Sequence, residues 1–401
     1  MRICVYQRFL PPDRSGAGKQ AVSLARAIRD RGHEVILLGD TLPKKPGTPM
    51  IDGTQAFWIE GCPESLSRWQ VLRYWYRLGR MLHRLRDDFD VLQVHATAFL
   101  PSAAVAFASF LGKPVLVRSS ISGEFRNLDG SLSGRIQRFM LKQADAFVVL
   151  SERLGEEFLE SGLPASRLYH IPNGVDPSLY HPVDENEKRS LRRELGLPER
   201  GRILVYHGVF IERKSLRWLV DALGSYLERL GVHLLLVGGP AREDSETGYS
   251  QALDRQIRDS PGQERIHVRE FRPDVHRYLK AADLYVLPST GEGLSNALLE
   301  AMSVGLVPLV SNAGGSEDVV EDGVSGFLFQ PRSYSQFEKA VDRCLGPSSC
   351  MDLKELSRQV HERVQPRFSI QATAEQYLRV FESVLKSKGE QTKDGQALRG
   401  P

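Results

Sequence analysis

Two glutamates, Glu292 and Glu300, stand with seven residues between them in the stretch Pro288-Ser289-Thr290-Gly291-Glu292-Gly293-Leu294-Ser295-Asn296-Ala297-Leu298-Leu299-Glu300-Ala301-Met302. The stretch leaves a strand pattern and enters a helical one. Gly291 and Gly293 remove side-chain bulk just before the helix, so the backbone N–H groups of residues 293–295 approach a ligand closely while the helix dipole favours an anion. A diphosphate suits that place. Glu300 is the sole charged residue between Glu292 and Glu317 and lies among Leu298, Leu299, Ala301, Met302 and Val304. A carboxylate buried there without donors costs on the order of several kcal/mol. The vicinal hydroxyls of a ribose supply such donors; the alternative is a solvated glutamate on the wet face of the helix.

Two other places carry polar groups where a ligand is expected. Gly16 and Gly18 lie in the loop after the first strand pattern, a position for a phosphate- or acceptor-facing loop. The stretch is not a P-loop, because Asp13 stands where the first glycine is required and Gln20 where Ser or Thr is required. It meets the dinucleotide pattern G-x-G-x-x-G only with Ala21 in the third place and Asp40 as the ribose reader, which leaves NAD binding as a minor alternative. His95 ends another strand pattern and is a candidate for acid–base work, against the plainer reading of a satisfied structural histidine.

These residues are positioned by short β-branched runs alternating with amphipathic helical stretches, the pattern of an α/β protein with parallel sheets. Strands are predicted at 3–6, 34–38, 91–94, 115–117 and 146–150, with helices near 19–31, 101–111 and 151–161. The turn formers from Ile171 to Pro177 break the alternation and predict a connection between domains. A second series follows, with strands at 203–206, 234–237, 266–268, 284–287 and 307–310. The predicted domains are 1–172 and 173–368, then a helix at 369–386 packing back on the first domain and a flexible tail at 387–401.

At 401 residues the chain has room for two cores, and 41% hydrophobic with 26% charged residues is the balance of a soluble globular protein. Met1-Arg2-Ile3-Cys4-Val5-Tyr6 runs straight into a strand pattern without the zones of a secretory signal. The longest stretch without formal charge, 91–112, is interrupted by Gln93, His95 and Pro101, so no membrane span is expected. Cys4, Cys62, Cys344 and Cys350 show no paired metal-type spacing, which suits a reducing cytoplasm. A net charge of +3 with no nucleic-acid module predicts no nucleic-acid partner.

The pair Glu292 and Glu300 in its Pro-Ser-x-x-Glu-Gly context resembles the signature of retaining GT-B glycosyltransferases of glycosyltransferase family 4. The resemblance extends from Asn173-Gly174-Val175-Asp176 through Ala282–Ser289 to Gly314-Gly315-Ser316-Glu317 and Gly326-Phe327-Leu328. It implies two Rossmann-like domains facing each other across a cleft, and transfer of a sugar from a UDP-, GDP- or ADP-linked donor. The acceptor it implies is a glycan or lipid-linked glycan, in cell-surface polysaccharide or glycoconjugate synthesis. In its terms Glu300 holds the donor ribose and Glu292 faces the donor sugar, while Gly293, Leu294, Ser295 and Asn296 contact sugar and phosphate oxygens. Lys214 then neutralises the diphosphate leaving group. Where the family has an arginine after the glycine this chain has Val209, and Arg213 is the candidate to compensate; both basic residues also fit an ordinary charged helix start. Where many relatives have a histidine after the strand ending at Val117, this chain has Arg118-Ser119-Ser120-Ile121-Ser122-Gly123-Glu124-Phe125, which makes Arg118 and Glu124 the candidates for contact with sugar and acceptor. Rival readings are a GT-B nucleotide-sugar epimerase or hydrolase and a catalytically silent nucleotide-sugar scaffold in a glycan-assembly complex, which binds the donor weakly or not at all.

From Ser67 to Arg86 arginines are interleaved with aromatics. Such a helix lies on an anionic membrane surface, or else turns Val71, Trp75, Leu78, Leu82 and Leu85 to the core and its arginines to water. The first alternative predicts a cytoplasmic protein peripheral to the inner membrane. Asp88-Phe89-Asp90 leads into a strand rather than out of one, which predicts a place away from the ligand end of the sheet and no metal role. No metal or other cofactor is expected.

Overall fold

The computed structural model describes residues 1–13, 15–40, 49–61, 67–125, 128, 131–240, 247–346 and 351–397. Cys62, Cys350 and the last four residues of the expected tail lie outside them. The chain divides into two compact units, residues 1–174 with 370–401, and residues 175–369.

The first unit is built from β1 (Arg2–Tyr6), α1 (Gly16–Arg29), β2 (Glu34–Asp40), β3 (Met50–Ile51), β4 (Thr54–Ile59), α2 (Arg68–Arg84), β5 (Val91–His95), α3 (Phe99–Phe110), β6 (Val115–Arg118), α4 (Leu132–Leu141), β7 (Ala146–Val149), α5 (Glu152–Glu160) and β8 (Leu168–His170). Its eight strands run in the order β3-β4-β2-β1-β5-β6-β7-β8, parallel except for the β3–β4 hairpin. Every residue of β5, β6 and β7 is buried, as strands covered by helices on both faces require. Sequence patterning missed β3, β4 and β8. In β4, Thr-Gln-Ala-Phe-Trp-Ile carries one exposed and two half-exposed positions, too little apolar contrast to signal a strand.

The second unit holds α6 (Glu185–Glu194), β9 (Arg202–Val209), α7 (Leu216–Arg229), β10 (Val232–Gly239), α8 (Thr247–Asp259), β11 (Ile266–Arg269), α9 (Val275–Ala281), β12 (Leu284–Leu287), α10 (Asn296–Ser303), β13 (Val307–Ser311), β14 (Phe327–Phe329), α11 (Tyr334–Leu345) and α12 (Leu353–Phe368). Its all-parallel sheet has the order β11-β10-β9-β12-β13-β14, the doubly wound arrangement whose direction of winding reverses between its first and fourth strands. β9 pairs with β10 over its whole length, from Arg202 opposite Val232 to Val209 opposite Gly239. With β12 it pairs only at Leu204 and Val205. Beyond Val205 the two strands part, and the crevice that opens is where this fold takes ligands.

The last helix, α13 (Ile370–Ala397), belongs to the first unit. Ile370, Ala374, Tyr377, Phe381 and Val384 recur at helical spacing and share one core with Ile3, Val5, Leu24 and Ile28. The helix runs on to Ala397 instead of giving way to a tail at 387; once a helix is nucleated, each added polar residue costs little. Gly174 makes the crossover close, since a Cβ there would sit 2.5 Å from the Ile370 Cα. Cys4 and Cys344 are buried free thiols.

Candidate functional site

Three loops at the C-terminal ends of β9, β12 and β13 build the principal constellation. After β9 the chain makes a 3-10 turn at Glu212–Lys214, and Ser215 in the left-handed region (φ 51°) redirects it into α7. The Arg213 carbonyl accepts from Thr290 N at 2.9 Å, and the Arg213 guanidinium donates to the Gly291 carbonyl, so the β9 and β12 loops are stitched together. The third loop presses on the second. Gly314 has φ 70° and a Cβ on it would lie 1.9 Å from the Glu292 carbonyl oxygen, while Gly315 N donates to the Gly293 carbonyl at 2.7 Å. Ser311 closes the corner by donating to the Ser289 carbonyl at 2.6 Å.

This scaffold holds Glu292 against two cations. Its Oε1 lies 2.6 Å from Lys214 Nζ and 2.9 Å from an Arg213 guanidinium nitrogen, and both Glu292 and Lys214 are buried. Burial pushes the Glu292 carboxyl up, but Lys214 and Arg213 outweigh it and hold it below the usual carboxylate range. Burial pulls Lys214 down from the ordinary lysine value, with Glu292 opposing. Two cations on one carboxylate leave one positive charge over, in a place where low polarity strengthens its field. Arg213 thus reaches the site from a position four residues past Val209.

Glu300 is buried on α10, whose N-terminus is capped by the Ser295 hydroxyl accepting from Leu298 N at 3.4 Å. The solvated alternative for Glu300 is therefore excluded. His207, on β9, places Nε2 3.4 Å from Glu300 Oε2 and 3.3 Å from the Ala297 carbonyl. Both neighbours are acceptors, so Nε2 carries the proton. His207 was not singled out in the sequence; its signal is a polar residue directly after the apolar run Ile203–Tyr206 and before Gly208. Gly293, Leu294 and Ser295 are buried in the same strand-to-helix connection, and Asn296 opens α10.

In the first unit, His95 and Arg118 end β5 and β6 as partners in register. Both are buried. Arg118 donates to Asn173 Oδ1 and places another nitrogen 3.4 Å from His95 Nδ1; Gln93 Nε2 lies 2.8 Å from His95 Nε2. Burial first, then Arg118, hold the His95 imidazole well below its ordinary range. Glu124 does not join them in an ion pair among the described residues. Its Oε2 accepts from Thr97 Oγ1 at 3.2 Å, Ser119 Oγ at 2.6 Å and Ser120 N at 3.2 Å, and burial raises its carboxyl against those bonds. Glu157 pins the same loop from the other side, accepting from Ser122 Oγ at 2.5 Å and Gly123 N at 2.7 Å.

Four residues weighed in the sequence have local structural accounts. Gly18 is small because its Cβ would lie 2.1 Å from the Phe9 carbonyl oxygen, and Gly16 is the exposed first residue of α1. Asp40, the residue a dinucleotide reading requires, is occupied by Tyr74 Oη at 2.8 and 3.0 Å and by Arg8 Nε at 2.7 Å. Asp90 pairs with Arg2 (2.6 Å) at the N-terminal edge of β1 and β5. That edge is opposite the ligand end of a parallel sheet.

Comparison with known proteins agrees with this layout. Residues 14–179 match the model described as Glycosyltransferase Family 4 and residues 201–346 that described as Glycosyl transferases group 1, so the two matches take in most of the chain from 14 to 346. The N-acetyl-alpha-D-glucosaminyl L-malate synthase of Bacillus anthracis is 23% identical over 94% of this chain and 96% of its own length. The UDP-Gal:alpha-D-GlcNAc-diphosphoundecaprenol alpha-1,3-galactosyltransferase of Escherichia coli is 28% identical over 73% of this chain and 75% of its own. The crystal structure of Anabaena HepE in complex with UDP and glucose superposes with a TM-score of 0.77 at 20% identity, over 96% of this chain and 100% of that one.

Proposed function

The chain belongs to the group 1 glycosyl transferases of glycosyltransferase family 4 and has their GT-B fold, and from that premise we propose that it transfers a sugar, with retention, from a nucleotide sugar to a glycan or lipid-linked glycan. The observation that supports this most is the unbalanced charge of Arg213, Lys214 and Glu292 at the parting of β9 and β12. A diphosphate brings the negative charge that cluster lacks.

The donor's diphosphate lies against Lys214, Arg213 and the N-terminal amides of α10, where fixed cations and the helix dipole stabilise the charge that grows on the leaving group. These groups do for the phosphates what a divalent metal does elsewhere, so none is required. Glu300 accepts from the ribose hydroxyls, which replace bonds its buried carboxylate otherwise has to find within the protein. Glu292, ionised throughout the neutral range, keeps Lys214 aimed and faces the sugar as positive charge develops at its anomeric carbon. The first unit takes the acceptor, with His95 and Arg118 at the ends of its strands and Glu124 in the loop after β6. The E. coli relative's diphosphoundecaprenol substrate favours a lipid-linked acceptor, and HepE's ligand makes UDP the nucleotide to test first.

Calorimetry with UDP-, GDP- and ADP-linked sugars, with and without a chelator, tests the reading. Binding of one nucleotide that survives the chelator is the expected result. Binding that the chelator abolishes removes the metal-free account, and no binding at all favours the silent scaffold.

A further inference from the structure

From the layer of helices α2, α3 and α4 in the first unit we infer a surface built to rest on an anionic lipid bilayer. The sequence pointed to α2 alone; the structure adds α4 and separates buried from exposed residues. On α2 the core takes Val71, Tyr74, Leu78 and Leu82, with Trp75 half-buried against Phe99. The opposite face presents Trp69 (83% exposed), Leu72 and Tyr76 to solvent, a second apolar stripe at helical spacing that the core does not use. Helix α4 repeats this with Leu132, Ile136 and Phe139 (67% exposed), also at helical spacing, and Phe110 at the end of α3 is 90% exposed.

The charges within these three helices are of one sign. Arg73, Arg80, Arg84, Arg135 and Lys142 are exposed on α2 and α4 or directly after it. None of the three helices contains an aspartate or glutamate. Helix α12 shows what an ordinary solvated face looks like, with Arg358 paired to Glu355 and Glu362 at 2.6 Å. Rings and aliphatic side chains interleaved with unopposed cations are complementary to a surface that is apolar a few ångströms below an anionic layer. A soluble acidic polymer would engage the cations and leave the rings wet. Among the described residues no helix is long and apolar enough to cross a membrane, so the contact is interfacial.

The inference stands on exposure and charge and does not depend on the donor reading. Its test is flotation of the full chain with vesicles of phosphatidylcholine alone and of phosphatidylcholine mixed with phosphatidylglycerol. Binding only to the mixed vesicles, weakening steeply with added salt, is expected. Arg73→Gln with Arg80→Gln lowers it by about fivefold per residue, and Trp69→Ser with Phe139→Ser lowers it at least as much. All four residues are exposed, so unchanged thermal unfolding and unchanged nucleotide binding show that the variants fold. Failure to float overturns the inference. So does binding insensitive to the ring substitutions, the mark of a polyanion site, or a dimer in light scattering that Phe139→Ser dissociates.

Discussion

The strand ends of the two units carry similar inventories, a carboxylate, a cation and a histidine, yet wire them differently. In the second unit opposite charges touch, with Glu292 against Lys214 and Arg213, and the surplus is positive. In the first unit they are kept apart. Arg118 spends its donors on Asn173, and Glu124 takes its bonds from hydroxyls and a backbone amide. The first wiring leaves a field for an anion to complete; the second leaves a loop locked by neutral groups, suited to neutral hydroxyls. One region should therefore respond to mutation through donor binding and the other through stability and acceptor use.

The largest break in that contrast comes from Lys214→Ala. It removes the surplus charge and leaves Arg213 to hold Glu292 alone, so turnover is expected to fall about 100- to 1,000-fold, as when one preorganised charge-stabilising group is lost. Steady-state kinetics with the donor found by calorimetry checks it. A loss under tenfold would mean that the cluster is a structural ion pair. Glu300→Ala follows, with nucleotide affinity weakened about ten- to a hundredfold, the net worth of one bond to a charged acceptor. Unchanged affinity would remove the ribose assignment and leave His207 as the residue Glu300 serves.

Arg118→Ala sharpens the comparison from the other side. It strips the donor from the Asn173 amide oxygen and from His95, at a cost of about 1–3 kcal/mol in unfolding free energy. Donor affinity should not change. Urea unfolding alongside nucleotide calorimetry separates the two readouts, and a fall in donor affinity would show that Arg118 acts on the donor after all.

How much of this the sequence disclosed differs by unit for a physical reason. Glu292 and Glu300 sit in one continuous strand-to-helix connection, where spacing along the chain is spacing in space, so their shared location was readable. Lys214 was readable through resemblance. That Arg213 reaches Glu292 was not, because the 3-10 turn and the left-handed Ser215 decide where its side chain goes. His207 was hidden for a related reason: its partners, Glu300 and the Ala297 carbonyl, lie about ninety residues on. In the first unit Gly18 has a reason of its own, the close approach of the Phe9 backbone, a contact no spacing rule contains. The strand β4 went unseen because its burial comes from neighbours rather than from its own alternation.

The smallest effect expected is also the one that isolates the first unit's wiring most cleanly. Burial, and then Arg118, keep His95 neutral in the folded protein well below its ordinary value of 6.5. The unfolded chain takes up a proton at that histidine as pH falls through 6.5, while the folded chain does not. Stability from this group is therefore complete above 6.5 and declines on the acid side, by about 1.4 kcal/mol per pH unit until the folded value is reached. His95→Gln, which has no proton to gain, should flatten that part of the profile while leaving the slopes from carboxylates intact. Urea midpoints for both proteins between about pH 7 and pH 5 give the comparison, because the difference between two chains sharing every other titrating group belongs to His95. Converging lines toward acid confirm a buried neutral imidazole beside a buried guanidinium. Parallel lines would mean that His95 takes up its proton equally in the folded and unfolded chains, and lines diverging toward acid that a carboxylate rather than Arg118 governs it; either result would make the two units more alike than their geometry shows.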